Sequence, residues 1–190
     1  MEAPMGERTV ILVRHGQLDM EAFALNGFKA GVTPLGRRQA RRTASRLRSI
    51  HVDAIHYSTI GRAAETASII APAFDGVKPQ PSRLLWEVPS PAILSARGEH
   101  ARATAVQQRF ERTFARFIRG HKGSGNRTDL LITHGNLIRA FACRVLGLTP
   151  ESWLLFWTSH CGITELRITP NGGRILTYND VGHLPTQLRT

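Results

Sequence analysis

With 190 residues, 42% of them hydrophobic, the chain has the length of one domain and enough apolar content to close a core. It carries 25 Lys and Arg against 14 Asp and Glu, a formal net charge of +11 that points to an anionic substrate or partner without saying which. No apolar run is long enough to cross a bilayer, and the opening MEAPMGERTV has neither the basic start nor the apolar stretch of a secretory signal.

In chain order, Arg8 to Val13 reads as a short buried strand, because TVIL is a continuous apolar, β-branched run. It stops on Arg14, His15 and Gly16. Residues 16–32 read as a mixed stretch, loop with at most a helical turn. A helix then opens at TPLGRRQARRTASRLRSI, with Thr33 as N-cap and Pro34 in the first helical position. Its apolar face, Ala40, Ala44 and Leu47, is narrow, and arginines cover the rest. A second strand spans Asp53 to Ser58, followed by a helix from Gly61 to about Ala71, which Pro72 ends.

Residues 75–100 are proline-rich and read as a short insertion over one end of the sheet, with a strand near Arg83 to Leu85. Val106, Phe110, Phe114, Phe117 and Ile118 then form one helical stripe, read as core. The polar link GHKGSGN leads to the strand DLLIT and the helix GNLIRAFACRVLG. Two last strands flank PNGG, a hairpin signal. Trp153 and Trp157, with Leu154 and Phe156, fit either core or a homodimer contact.

Strands alternating with helices, closed by a hairpin, predict a single α/β domain over 1–190. Its architecture is a three-layer α/β/α sandwich with a mostly parallel mixed sheet and an antiparallel edge strand. Cys143 and Cys161 lack metal-ligand spacing and read as buried thiols in a reducing compartment. Together with the N-terminus, they predict a cytoplasmic protein without membrane association.

Ligands bind outside the carboxyl ends of strands in such sheets. Here three strands end on Arg14-His15-Gly16, on Ser58-Thr59 leading to Arg62, and on Thr133-His134-Gly135. If parallel, they gather two imidazoles and two guanidiniums before two helix N-termini, a setting for phosphate. Neutral His15 is the candidate nucleophile, its proton affinity lowered by the surrounding cations. Arg14, Arg62 and His134 would stabilise charge on the transferring group. Glu87, beside Trp86, is the candidate proton donor to the leaving oxygen. Gly16, Gln17 and Gly135 are the expected substrate-binding positions, with Gly16 leaving room at the rim. His160 and His183 are read as structural, with a place at the border of the pocket as the alternative, and Glu65 as the partner of an arginine. The arginine helix lacks interleaved aromatics, which argues against a nucleic-acid surface.

The segments LVRHGQ, TPLGRRQA, YSTIGRAAETA, LLWE and LITHGNLIRA, in that order, resemble the signatures of the histidine phosphatase (phosphoglycerate mutase-like) superfamily, and NDVGHL is similar to its C-terminal pattern. The resemblance implies that His15 accepts the phosphoryl group, that Arg14, Arg62 and His134 complete the phosphate pocket, that Glu87 is the proton donor, and that no metal or other cofactor takes part. The continuation QLDMEAFALNGF departs from the pattern of the mutases, so Gln17 and Asn26 would have to serve there, and the longer insertions of the mutases are missing. Hydrolysis of a phosphate monoester is therefore expected. The stretch from THGNL to PNGG is similar to the mitochondrial Ser/Thr protein phosphatase branch, although that branch's N-terminal anchor and Trp/Asp-rich segment are not seen. A phosphoprotein substrate is expected ahead of a small phosphate ester. The remaining alternative is a non-catalytic anion- or nucleic-acid-binding module on the same fold.

Overall fold

A computed structural model describes residues 5–122 and 125–190. The start of MEAPMGERTV and the tip of the GHKGSGN link therefore lie outside the described residues. The strands are β1 (Met5–Gly6), β2 (Arg8–Arg14), β3 (Ala54–Ser58), β4 (Gln80–Ser82), β5 (His121–Lys122), β6 (Arg127–Thr133), β7 (Ile163–Thr169) and β8 (Gly172–Asp180). The helices are α1 (Met20–Asn26), α2 (Pro34–Leu47), α3 (Gly61–Ile70), α4 (Pro91–Ala96), α5 (His100–Phe117) and α6 (Gly135–Val145).

Six strands form one mixed sheet in the order β4-β3-β6-β2-β7-β8, and β1 pairs only with β5. Strands β4, β3, β6 and β2 are parallel neighbours, whereas β7 runs against β2 and β8 against β7. The antiparallel edge is thus a hairpin of two strands. Alternation along β2 sorts the core into two layers. Ile11 and Val13 pack with Leu47 of α2 and Ala67 and Ile70 of α3, while Val10 and Leu12 pack with Phe117 of α5 and Phe141 of α6. Leu130, Leu131 and Ile132 of β6 are wholly buried because helices cover both faces of this central strand.

Local chemistry explains most element boundaries. Thr33 Oγ1 accepts the Gly36 N–H at 3.0 Å and caps α2. The arginines of α2 are exposed, and among them Arg37 donates from Nε to Glu65 Oε1 at 2.6 Å. Three expectations need correction. Residues 16–32 are not all loop: Asp19 Oδ1 accepts the Ala22 N–H at 2.9 Å and starts α1, a helix with no buried residue and so no apolar stripe to read. The strand after Pro79 is Gln80–Ser82, and Arg83–Leu85 is a 3-10 turn. Residues 80–82 extend the sheet beside β3, so that part of the 75–100 segment belongs to the sheet instead of lying over it. Trp153 is buried in the core, whereas Leu154 and Trp157 are exposed. Among the described residues no helix is long and apolar enough to cross a membrane.

The registers Arg14↔Thr133 and Tyr57↔Ile132 bring the carboxyl ends of β2, β6 and β3 to one rim. At the other rim the carboxylate of Asp129, wholly buried on β6, accepts from Arg8 and, at 2.9 Å, from Arg127 Nε. Removing one partner of such a pair leaves an uncompensated buried charge. Asp129→Ala is expected to destabilise the fold by about 3–5 kcal/mol, read as a lower urea midpoint with an unchanged m-value.

Candidate active site

At the rim, the backbone N–H of His15 donates to the Thr133 carbonyl at 2.9 Å, which extends the β2–β6 pairing by one residue and fixes the imidazole at the sheet edge. His15 is 3% exposed and His134, the N-cap of α6, is wholly buried; their ring centroids lie 5.2 Å apart. Arg62, in the first turn of α3, is also buried. Its Nε–H donates to His15 Nε2 at 3.0 Å. On the other side of the ring, Nδ1 lies 2.7 Å from the Gly16 carbonyl.

These two contacts define the tautomer. A carbonyl oxygen can only accept, so His15 Nδ1 carries the proton, and a guanidinium N–H can only donate, so Nε2 offers its lone pair. Burial, then His134, Arg14 and Arg62, hold the His15 imidazole well below the usual histidine range, so the ring is neutral at physiological pH. Burial, with Arg62, Arg14 and Arg109, does the same to His134. His134 Nε2 lies 2.8 Å from Ser58 Oγ.

Arg14 donates from Nη1 to the Thr158 carbonyl. Five buried side-chain nitrogens of the described residues have no hydrogen-bond partner, and three of them belong here: Arg14 Nε, Arg62 Nη1 and His134 Nδ1. Unpaired buried polar groups are costly, and together with the N-termini of α3 and α6 these three fit the oxygens of a tetrahedral anion. Gly135 permits the arrangement, because a Cβ there would come within 3.3 Å of Arg14 Nε.

Glu87 is brought to the same place by a loop tied on both sides. Arg109 of α5 donates to the carbonyls of Trp86 (2.9 Å) and Glu87 (2.7 Å), Asn136 Nδ2 donates to the Val88 carbonyl (3.1 Å), and Trp86 Nε1 donates to Thr59 Oγ1 (2.6 Å). Burial raises the Glu87 carboxyl above the usual carboxylate range, and the Val88 amide and then Arg62 and Arg14 only partly oppose it.

At two expected positions the backbone N–H is already engaged within the protein. The Gly16 N–H is taken by Thr66 Oγ1 at 3.0 Å, and a Cβ on Gly16 would meet the Gly36 carbonyl oxygen at 2.6 Å. Glycine is needed there so that the rim can pack on the backbone of α2, not to leave room for a ligand. Gln17 bonds to Gln39 through its N–H and accepts from Thr33 Oγ1, anchoring the segment to α2. Asn26 ends α1 as an exposed residue. Conversely, His160 belongs to the site. Its ring centroid is 5.6 Å from that of His15, its Nδ1 lies 2.9 Å from Thr190 Oγ1, and burial beside Arg14 lowers it to about 4. His183 bonds Thr43 Oγ1 at 3.0 Å, on α2. Among the described residues no group of His, Cys, Asp and Glu side chains could hold a metal ion.

The profile of the histidine phosphatase superfamily (branch 1) matches residues 10–93 and 78–181, and the chain belongs to that superfamily. It is accordingly a phosphatase that acts on phosphate esters. Among individual proteins it is 34% identical, over 197 residues, to the mitochondrial serine/threonine-protein phosphatase PGAM5 of Xenopus tropicalis, covering 97% of this chain and 68% of the relative. The mitochondrial serine/threonine-protein phosphatase Pgam5 of Drosophila ananassae is 34% identical over 200 residues, covering 98% and 68%. Among solved structures, a phosphoglycerate mutase of Plasmodium falciparum superposes with a TM-score of 0.68 at 26% identity, covering 95% of this chain and 96% of that one. A phosphoserine phosphatase of Entamoeba histolytica shares the fold, with a TM-score of 0.68 at 18% identity over 94% and 100% of the two chains.

The relatives overturn the expectation of a cytoplasmic protein, since those matching nearly the whole chain are named as mitochondrial. Free thiols speak only against an oxidising, secreted setting, and do not separate the reducing compartments of a cell.

The buried neutral imidazoles have a consequence for stability. The folded values of His15, His134 and His160 lie below the ordinary value of 6.5, so below about pH 6.5 the unfolded chain binds more protons than the folded one. Stability is expected to be fully present above that pH and to fall on acidification, by up to about 1.4 kcal/mol per pH unit for each such histidine. Urea midpoints between pH 7.5 and pH 5 measure this, and a flat profile would contradict the neutral assignment.

Proposed function

We propose that the chain dephosphorylates phosphoprotein substrates through a phosphohistidine formed at His15 Nε2. The observation that carries this reading is the His15 ring itself, with its proton held on Nδ1 by the Gly16 carbonyl and its Nε2 lone pair directed toward Arg62. In the first step Nε2 attacks phosphorus and the ester P–O bond breaks. Arg62 exchanges its bond to Nε2 for one to a phosphoryl oxygen, and Arg14 Nε, Arg62 Nη1 and His134 stabilise the charge on the group in flight. Ser58, which accepts from the Ile60 N–H, donates its own proton to His134 Nε2, so that His134 Nδ1 carries the ring proton toward the phosphate. Glu87, whose hold on its proton is strengthened by burial, gives that proton to the leaving alkoxide. In the second step Glu87, now a carboxylate, takes a proton from the water that attacks phosphohistidine, and inorganic phosphate leaves with His15 restored.

Protein substrates are supported by the names of the relatives, as is a mitochondrial location. The whole chain reads as one catalytic domain in which residues 83–90 deliver the acid.

Hydrolysis of para-nitrophenyl phosphate in EDTA is expected from the native chain, with a fall on the order of 10³-fold or more in kcat for His15→Ala. Phosphopeptides should exceed sugar phosphates in kcat/KM. Glu87→Gln separates the acid's role from a structural one. It should lower turnover of an alkyl ester such as phosphoserine peptide by about 10²-fold or more, and that of para-nitrophenyl phosphate far less, because nitrophenolate leaves without a proton. Equal losses on both esters would remove Glu87 from the role of acid.

A further inference from the structure

We infer a second anion site at the opposite rim of the sheet, where the parallel strands begin, and its ligand is a small polyphosphate such as the tail of a nucleoside di- or triphosphate. This rim is separated from the His15 pocket by the length of β2, about 20 Å. A cavity of about 370 Å³ opens there, lined by Arg8, His56, Arg116, Arg119, His121 and Arg127. Four guanidiniums therefore border one concave space.

Among the described residues their charge is not balanced. Asp129 is shared by Arg8 and Arg127, and Asp53, at the edge beside Arg127, accepts the Thr128 N–H at 2.7 Å and lies 3.2 Å from His51 Nε2. Glu7 is directed to Arg167, 3.9 Å away. Among the described residues Arg116 and Arg119 have no carboxylate partner. Arg116 lies in the last turn of α5 and Arg119 just beyond its end, where a helix dipole favours positive charge, but that end carries only about half an elementary charge. An excess of cation remains around the cavity. The Arg8 guanidinium, 7% exposed, is pressed by Arg127 and Arg119 as well as by burial.

The floor suits phosphate more than a protein carboxylate or an extended strand of nucleic acid. His56 is buried against the Phe117 ring, 5.2 Å between centroids, and burial keeps it neutral. Gln80, on the edge strand β4, adds an amide, and among the described lining residues there is no Phe, Tyr or Trp to stack a base. Guanidinium forks set around a concavity match a ligand with several phosphate oxygens. The arginines of α2, in contrast, spread over an open helix face and share no comparable enclosure.

The test uses the full chain, titrated with pyrophosphate and separately with ATP at physiological ionic strength, followed by amide NMR. Shifts of Gly120, His121 and Arg127 report this rim, and those of Gly16 and Gly135 report the His15 pocket. The inference expects saturable shifts at the distal amides. In Arg116→Gln/Arg119→Gln these should weaken by about tenfold or more, while the active-site shifts and para-nitrophenyl phosphate turnover stay as in the native chain. Tighter binding of ATP than of pyrophosphate would identify a nucleotide, and equal binding inorganic polyphosphate. Distal amides that do not move, that move equally with sulfate, that respond only to a single-stranded RNA, or that titrate identically in the double variant would each overturn it.

Discussion

A neutral imidazole fixed between a group that can only accept and a group that can only donate is the constraint on which the site depends. The Gly16 carbonyl takes the Nδ1 proton and the Arg62 guanidinium faces Nε2, so the ring has one tautomer and one orientation. Burial alone would neutralise a histidine, but it would not select which nitrogen keeps its lone pair. The neighbouring cations make protonation still harder. The price of this arrangement is a set of guanidinium and imidazole nitrogens left unpaired in the protein interior, at Arg14, Arg62 and His134. An anion is the group that satisfies them all.

Much of the fold then serves to hold that ring. The β2–β6 pairing runs on to the His15 N–H, and the Cys161 N–H donates to the Arg14 carbonyl at 3.0 Å from the far side. Cys161 adopts a positive φ of 55° where the chain turns from the Trp157 segment into β7, which also carries His160 to the pocket. Burial raises its thiol to about 12, so it is a packing group and not a second nucleophile. Gly16 meets the backbone of Gly36, locking the rim to the start of α2. Glu87 is held differently, by Arg109 reaching from α5 to two loop carbonyls.

How much of this the sequence disclosed follows from the range of the interactions. The strands β2 and β6 are legible because they are continuous apolar runs that stop abruptly on polar residues. Thr33 and Pro34 mark the start of α2 for local reasons. Arg14, His15, Arg62, Glu87 and His134 are brought together as their positions at strand and helix ends suggest. Helix α1 escaped because its side chains bury nothing, although Asp19 was a readable cap. The place of His160 was not fixed by local sequence, because it depends on the Cys161 turn and on Thr190, contacts between distant parts of the chain. The packing of Gly16 and Gln17 was hidden for the same reason, since the groups they meet, on Thr66, Gly36 and Gln39, sit on other helices.

The central claim is that the phosphoryl group passes through Nε2 of His15. The most direct measurement is rapid acid-free quenching of the native chain during turnover of a ³²P-labelled phosphopeptide, with mass-spectrometric location of any label on the protein. The account predicts a transient, acid-labile and base-stable phosphoryl group on His15, formed no more slowly than the steady state. Full turnover with no label on the protein at any time, or label on another residue, would contradict it.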